Sequence, residues 1–139
     1  MQRERLLVVD DAEMNVKLLT VVLAARGYQV DSATSAEEAA PILASKTFAC
    51  LLLDISLPGM DGLSFARQLR RDPRYADLVI IAVTANAMKG DMEAALAAGC
   101  NAYIAKPIDT RAFPDIVAEE IAKERAKSTD SGSRERTNS

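Results

Sequence analysis

Three acidic residues, Asp10, Asp11 and Asp54, follow directly on apolar runs that read as buried strands, Leu6-Leu7-Val8-Val9 and Leu51-Leu52-Leu53. A carboxylate at the edge of a core is costly unless it is paired or binds a metal. Strands of an open α/β sheet end at a common carboxyl edge, and ligands bind in the crevice outside that edge. The three acids are therefore expected to meet in one place, where they repel one another and call for a divalent cation. An all-oxygen ligand set suits Mg²⁺, Ca²⁺ or Mn²⁺ rather than zinc.

Composition narrows the chemistry further. The chain has 139 residues, enough for one domain with a single core, and 49% of them are apolar. The net charge is −3 with a pI near 5.0, and no basic cluster offers itself to nucleic acid or an anionic membrane. There is no histidine, which removes Ser-His-Asp and Cys-His catalysis and histidine metal ligands. Cys50 and Cys100 lie far apart, and Cys50 sits in an apolar run, so buried free thiols are expected rather than a disulfide. The start, Met1-Gln2-Arg3-Glu4-Arg5, leads into no signal-peptide core, and no run approaches the ~20 apolar residues of a membrane span. A cytoplasmic location is expected.

The elements that must position the acids alternate along the chain. Residues 6–9 read as the first strand. Val16, Leu19 and Leu23, with Leu18 and Val22, repeat at three and four as on a helix, which Gly27 ends. Residues 29–33 make a weak second strand. Ser35 and Glu38 form a capping-box pattern that opens a second helix. Pro41 falls six residues past that cap, which predicts a kinked or late-starting helix. Residues 49–53 are apolar throughout, as a central strand covered on both faces would be. A turn-rich loop, residues 57–62, precedes a helix with Leu63, Ala66 and Leu69 on its apolar face and Arg67 and Arg70 on its polar one. Residues 78–83 form a fourth strand, 91–98 an alanine-rich helix closed by Gly99, and 102–105 a short fifth strand. A last helix runs from Thr110 to about Arg125, with Pro114 in its first turns. Five such units predict a flavodoxin-like, doubly wound parallel sheet in the order 2-1-3-4-5 with five helices. Strands one and three then flank the switch point, and these are the strands that end in the acids. Residues 1–126 are expected to form the domain and the polar segment 127–139 a disordered tail.

With these residues placed, the chain resembles a response-regulator receiver domain of the CheY-like superfamily. The likeness runs from Leu6 to about Arg125 through five landmarks in order: Asp10-Asp11, Asp54, Pro58-Gly59-Met60-Asp61-Gly62, Thr84-Ala85 and Lys106-Pro107. The resemblance implies that Asp54 is the phosphoacceptor. It implies that Asp11, Asp54 and the backbone carbonyl of Ser56 hold Mg²⁺, with Asp10 acting through water and Mn²⁺ or Ca²⁺ able to substitute. Lys106 would contact the phosphoryl group, and the Lys106–Pro107 bond would be cis. Thr84 and Tyr103 would form the switch pair. Asn15 with Leu18-Leu19 would lie where histidine phosphotransfer domains dock. Ser56 and Asn86, both small and polar, imply an intermediate phosphoryl lifetime.

The implied protein is a stand-alone receiver that takes a phosphoryl group from a histidine kinase or histidine phosphotransfer protein. It would signal to a protein target through the face of its fourth helix, fifth strand and fifth helix, or pass the phosphoryl group on. It would be a monomer or weak homodimer and a phosphoacceptor rather than a turnover enzyme. The start Asp-Asp-x-x-x-Asn-x-x-Leu-Leu and the Ala-Asn-Ala after Thr84 are more similar to the DivK-like cell-division type than to the chemotaxis type. The alternative is a receiver cut from a hybrid kinase or longer regulator. An aspartyl-phosphate phosphatase would need an acid at position 56, where serine stands, and a flavin module would need a Ser/Thr/Gly-rich loop where Asp10-Asp11 stands.

Overall fold

A computed structural model describes residues 4–55, 61–85 and 89–138, with side chains as far as residue 127 except that of Lys89. Ser56, Asn86 and the Pro58-Gly59-Met60 part of the turn-rich loop lie outside the described residues.

The sheet is built from β1 (Arg5–Val9), β2 (Gln29–Ala33), β3 (Cys50–Asp54), β4 (Val79–Thr84) and β5 (Ala102–Ala105). All pairings are parallel and the order is β2-β1-β3-β4-β5, as the sequence predicts. Helices α1 (Glu13–Ala24), α2 (Ala36–Ser45), α3 (Gly62–Arg70), α4 (Lys89–Ala97) and α5 (Phe113–Asn138) connect and flank the strands.

Alternation along the strands splits the core in two. Leu7, Val9, Leu51, Leu53, Ile80 and Ala82 face α2, α3 and α4, where Leu43, Phe65 and Ala95 meet them. Leu6, Val8, Cys50, Leu52, Val79 and Ile81 face α1 and α5, against Leu19, Leu23, Phe113 and Val117. Both faces of β1, β3 and β4 are thus covered, and this is why those segments are apolar without a break.

The helices differ from expectation in particulars. In α1 Leu19 and Leu23 carry the burial, whereas Leu18 is exposed. In α2 the Ser35 hydroxyl accepts from the Glu38 N–H at 3.1 Å, while the Glu38 carboxylate reaches back to the N–H of Thr34. The cap holds the start at Ala36, so the helix does not begin late, and Pro41 lies inside it. α5 begins at Phe113, three residues after Thr110, because Asp109 caps Arg111, Ala112 and Phe113 and Pro114 falls at a position whose N–H has no intrahelical acceptor. Its backbone continues through the polar segment to Asn138, whereas burial ends with Ile121. Gly27 and Gly99 take φ of 93° and 104° as they end α1 and α4, a conformation that favours glycine.

Arg70 does not lie on a solvated face. Its guanidinium donates to the carbonyls of Gly99 and Tyr75, each at 2.8 Å, and to Asn101 Oδ1 at 2.8 Å. The same Asn101 oxygen accepts from the Ile80 N–H. Arg70 therefore ties α3, the 3-10 turn Pro73–Tyr75 and the start of β5 together.

Candidate functional site at the carboxyl edge

Strand register assembles the site. Val9 pairs with Leu53, so Asp10 comes level with Asp54. Asp54 pairs with Val83, which brings Thr84 one step beyond, and Thr84 pairs with Ala105, which brings Lys106 to the same edge. The Lys106 N–H donates to the Thr84 carbonyl at 2.7 Å. Residues distant in sequence are juxtaposed because four strands end together.

Asp10 and Asp54 are only 2% and 4% exposed, whereas Asp11 is open to solvent. One carboxylate oxygen from each of the three lies within 4.8 Å of the others. The Lys106 ammonium spans the buried pair, 3.2 Å from Asp10 Oδ2 and 3.1 Å from Asp54 Oδ2. Burial works against its charge, but hydrogen bonds and Coulomb attraction to Asp54 and Asp10 outweigh that and hold the Lys106 pKa above its usual value. Asp10 Oδ1 also accepts from the Ala12 N–H at 2.9 Å, at the start of α1, where no side chain caps the helix.

The donor set fits a hard divalent cation. Three clustered carboxylates carry more negative charge than one lysine neutralises, and they offer oxygen alone. Asp11 accepts no hydrogen bond among the described residues and stands ready as a ligand.

A side-chain cap fixes the start of α3. Asp61 caps that helix, accepting from the Ser64 N–H at 2.9 Å and the Ser64 hydroxyl at 3.0 Å. Those bonds, the Ser64 N–H first, lower the Asp61 pKa. A Cβ on Gly62 would come within 2.6 Å of the Asp54 carbonyl oxygen and of Ile55 Cα, so only glycine lets α3 start this close to the acceptor strand.

Thr84 is buried at the site edge and Tyr103 is half-buried, packed against the core on the α4 side. The Lys106–Pro107 bond is cis, as the resemblance implied. Asn15, assigned by sequence to a docking surface, turns its amide to Asp10 Oδ2 at 3.3 Å. Its spacing from Asp11, one helical turn, was the available signal. Both cysteines are free and buried. Burial pushes the Cys100 thiol up to about 11 and the Cys50 thiol higher still, so neither is a nucleophile near neutrality. Cavities of about 400 and 410 Å³ lie at the opposite, amino edge, where Lys46 pairs with Asp31, Arg74 with Asp72 and Arg125 with Glu4.

Fold and site together define a phosphoacceptor class of signalling domain. The chain belongs to the response regulator receiver domain family, whose pattern matches residues 6–118. It is similar to the polar-differentiation response regulator DivK of Brucella ovis, 37% identical over 111 residues, covering 80% of this chain and 90% of that one. It is also similar to the response regulator PleD of Caulobacter vibrioides, 38% identical over 105 residues and 76% of this chain, but it spans only 23% of that relative's length. Among solved structures it matches the receiver domain of the sensor histidine kinase PA1611 of Pseudomonas aeruginosa, at TM-score 0.79 and 31% identity over 87% of this chain and 99% of that one. That structure holds a magnesium ion coordinated in its active-site cleft. Among the described residues of the present chain, no helix is long and apolar enough to cross a membrane.

Proposed function

We propose that this chain is a single-domain response regulator that accepts a phosphoryl group from a partner's phosphohistidine onto Asp54. The observation that carries the reading is Lys106 bridging Asp10 and Asp54 beside an open Asp11. An Asp54 oxygen attacks phosphorus, the P–N bond breaks, and its electron pair returns to the partner's imidazole, which takes up a proton. Lys106 and the Thr84 hydroxyl then hold phosphoryl oxygens. Asp11, Asp54 and the Ser56 carbonyl would hold Mg²⁺, with Asp10 joined through water, and Mn²⁺ or Ca²⁺ would substitute. The bound cation neutralises charge on the incoming phosphoryl group.

The acyl phosphate biases a two-state equilibrium in which Thr84 moves inward and Tyr103 fills the space it leaves. A histidine kinase or histidine phosphotransfer protein docks beside the site, where Met14, Leu18 and Val21 expose an apolar stripe on α1 at 78%, 46% and 67%. A downstream protein reads the α4–β5–α5 face, which carries exposed Met92 and Leu96. The protein works in the cytoplasm as a monomer or weak homodimer, without nucleic acid or membrane, and it is not a turnover enzyme. Residues 1–126 act as the receiver and 127–139 as a polar tail.

A second reading, a receiver belonging to a hybrid histidine kinase or larger regulator, is supported by the likeness to PA1611 and by the fraction of PleD that is matched. Phosphotransfer profiling against a panel of kinases separates the two. Acetyl phosphate with Mg²⁺ should add one phosphoryl group by mass spectrometry. Asp54→Asn labelled at the wild-type rate would show the acceptor to be elsewhere.

A further inference from the structure

Asp10 is held by three donors. Its Oδ1 accepts from the Ala12 N–H at 2.9 Å, and its Oδ2 faces both Lys106 Nζ at 3.2 Å and Asn15 Nδ2 at 3.3 Å. A carboxylate offers about four lone-pair positions, so three donors nearly fill it. Asp11 is exposed and accepts no donor among the described residues. The three acids lie close enough to share one cation, and Asp10 is the one whose oxygens are also claimed from α1 and its start.

This division bears on which cation the site prefers. Mg²⁺ is small, demands near-octahedral geometry and keeps several waters, so it needs only one or two carboxylates. Ca²⁺ takes about six to eight oxygens in flexible geometry and gains from each added carboxylate. Asp10 released from its donors would be a third direct ligand, useful to Ca²⁺ and surplus to Mg²⁺. Lys106 cannot be the lasting restraint, because in the proposed transfer it turns to the phosphoryl group. The half-buried amide of Asn15, on the first turn of α1, is the side chain that stays.

We propose that Asn15 is a positioning residue that favours Mg²⁺ over Ca²⁺ by holding Asp10 Oδ2 out of the coordination sphere. The proposal rests on the cation-assisted receiver reading above and assigns a role that reading leaves open. It also explains why an amide, rather than an apolar residue, stands one turn beyond Asp11.

The test titrates wild type, Asn15→Leu and Asn15→Gln with MgCl₂ and with CaCl₂, following the backbone amide resonances of Asp11 and Ala12. In Asn15→Leu, which keeps the size but not the donor, the Ca²⁺-to-Mg²⁺ affinity ratio should rise about fivefold, the scale of one net hydrogen bond. Asn15→Gln, which keeps the amide, should stay within about twofold of wild type. Asn15→Ala provides the same readout should leucine disturb the packing of α1. Because a ratio is read, a general loosening of the site that weakens both ions equally does not mimic the effect. An unchanged ratio in Asn15→Leu and Asn15→Ala, with Mg²⁺ still bound, overturns the role of Asn15 and leaves the receiver reading standing. Absence of any saturable Mg²⁺ response in wild type overturns the cation reading and this proposal with it.

Discussion

Lys106 bridges two carboxylates that solvent scarcely reaches, and its worth follows from that. Substituting Lys106→Met should cost about 2–3 kcal/mol at neutral pH, less than the ~3–5 of a fully buried pair because the side chain is 21% exposed. The pH dependence has a definite sign. A lysine whose folded pKa is raised contributes stability that is complete below the ordinary lysine value and is lost as pH rises through the folded value. The difference between wild type and Lys106→Met in urea unfolding should therefore hold steady from neutrality to mildly alkaline pH and close only above the ordinary lysine pKa. A gap that closes near pH 7 would show that the ion pair is not its source. Taking the difference cancels any other group that titrates in the same range. At this scale the sequence was highly legible: Asp10, Asp11, Asp54, Thr84 and Lys106 all converge as their strand-end positions predict. The turn of the Asn15 amide toward Asp10 was not legible, because a helix period reveals a face, not which way one amide points.

Among the elements, α3 and α4 show how the site is braced. Arg70 joins three segments through a fork of hydrogen bonds, and Gly99 packs so tightly on it that a Cβ there would approach Arg70 Cγ to 2.4 Å. Arg70→Ala should lower stability by about 2 kcal/mol, since it also leaves two carbonyls and the Asn101 oxygen without this donor. Arg70→Lys should recover less than half, because an ammonium cannot reproduce the planar fork. Chemical denaturation checks both, and full rescue by lysine would mean that only charge matters. Arg70 looked like an ordinary polar-face residue because two of its partners, Gly99 and Asn101, lie about 30 positions away in the chain. The start of α5 was displaced for a local reason, the Asp109 cap, which a proline and a periodic pattern do not reveal.

For the molecule as a whole, a ligand that binds only the folded state stabilises it by mass action. At about ten times its dissociation constant, Mg²⁺ should add about 1.4 kcal/mol, or about 5 °C in Tm for a domain of this size. Asp11→Ala should abolish that increment while leaving the metal-free Tm near wild type, because Asp11 is exposed and holds no hydrogen bond among the described residues. Scanning calorimetry with and without MgCl₂ reads both numbers, and a retained increment would place the cation elsewhere. The apolar runs of β1, β3 and β4, their spacing and the acids at the ends of the first two were enough to determine a parallel sheet with its chemistry at one edge. Burial of both sheet faces leaves few other uses for such runs, and parallel strands bring their carboxyl ends together. What only the tertiary structure decided is how the three carboxylates divide their work. Asp10 is occupied by Lys106, Asn15 and a backbone N–H, and Asp11 is left open. Those partners come from different elements, and hydrogen-bond distances of about 3 Å are set by how strands and helices pack rather than by any spacing along the chain.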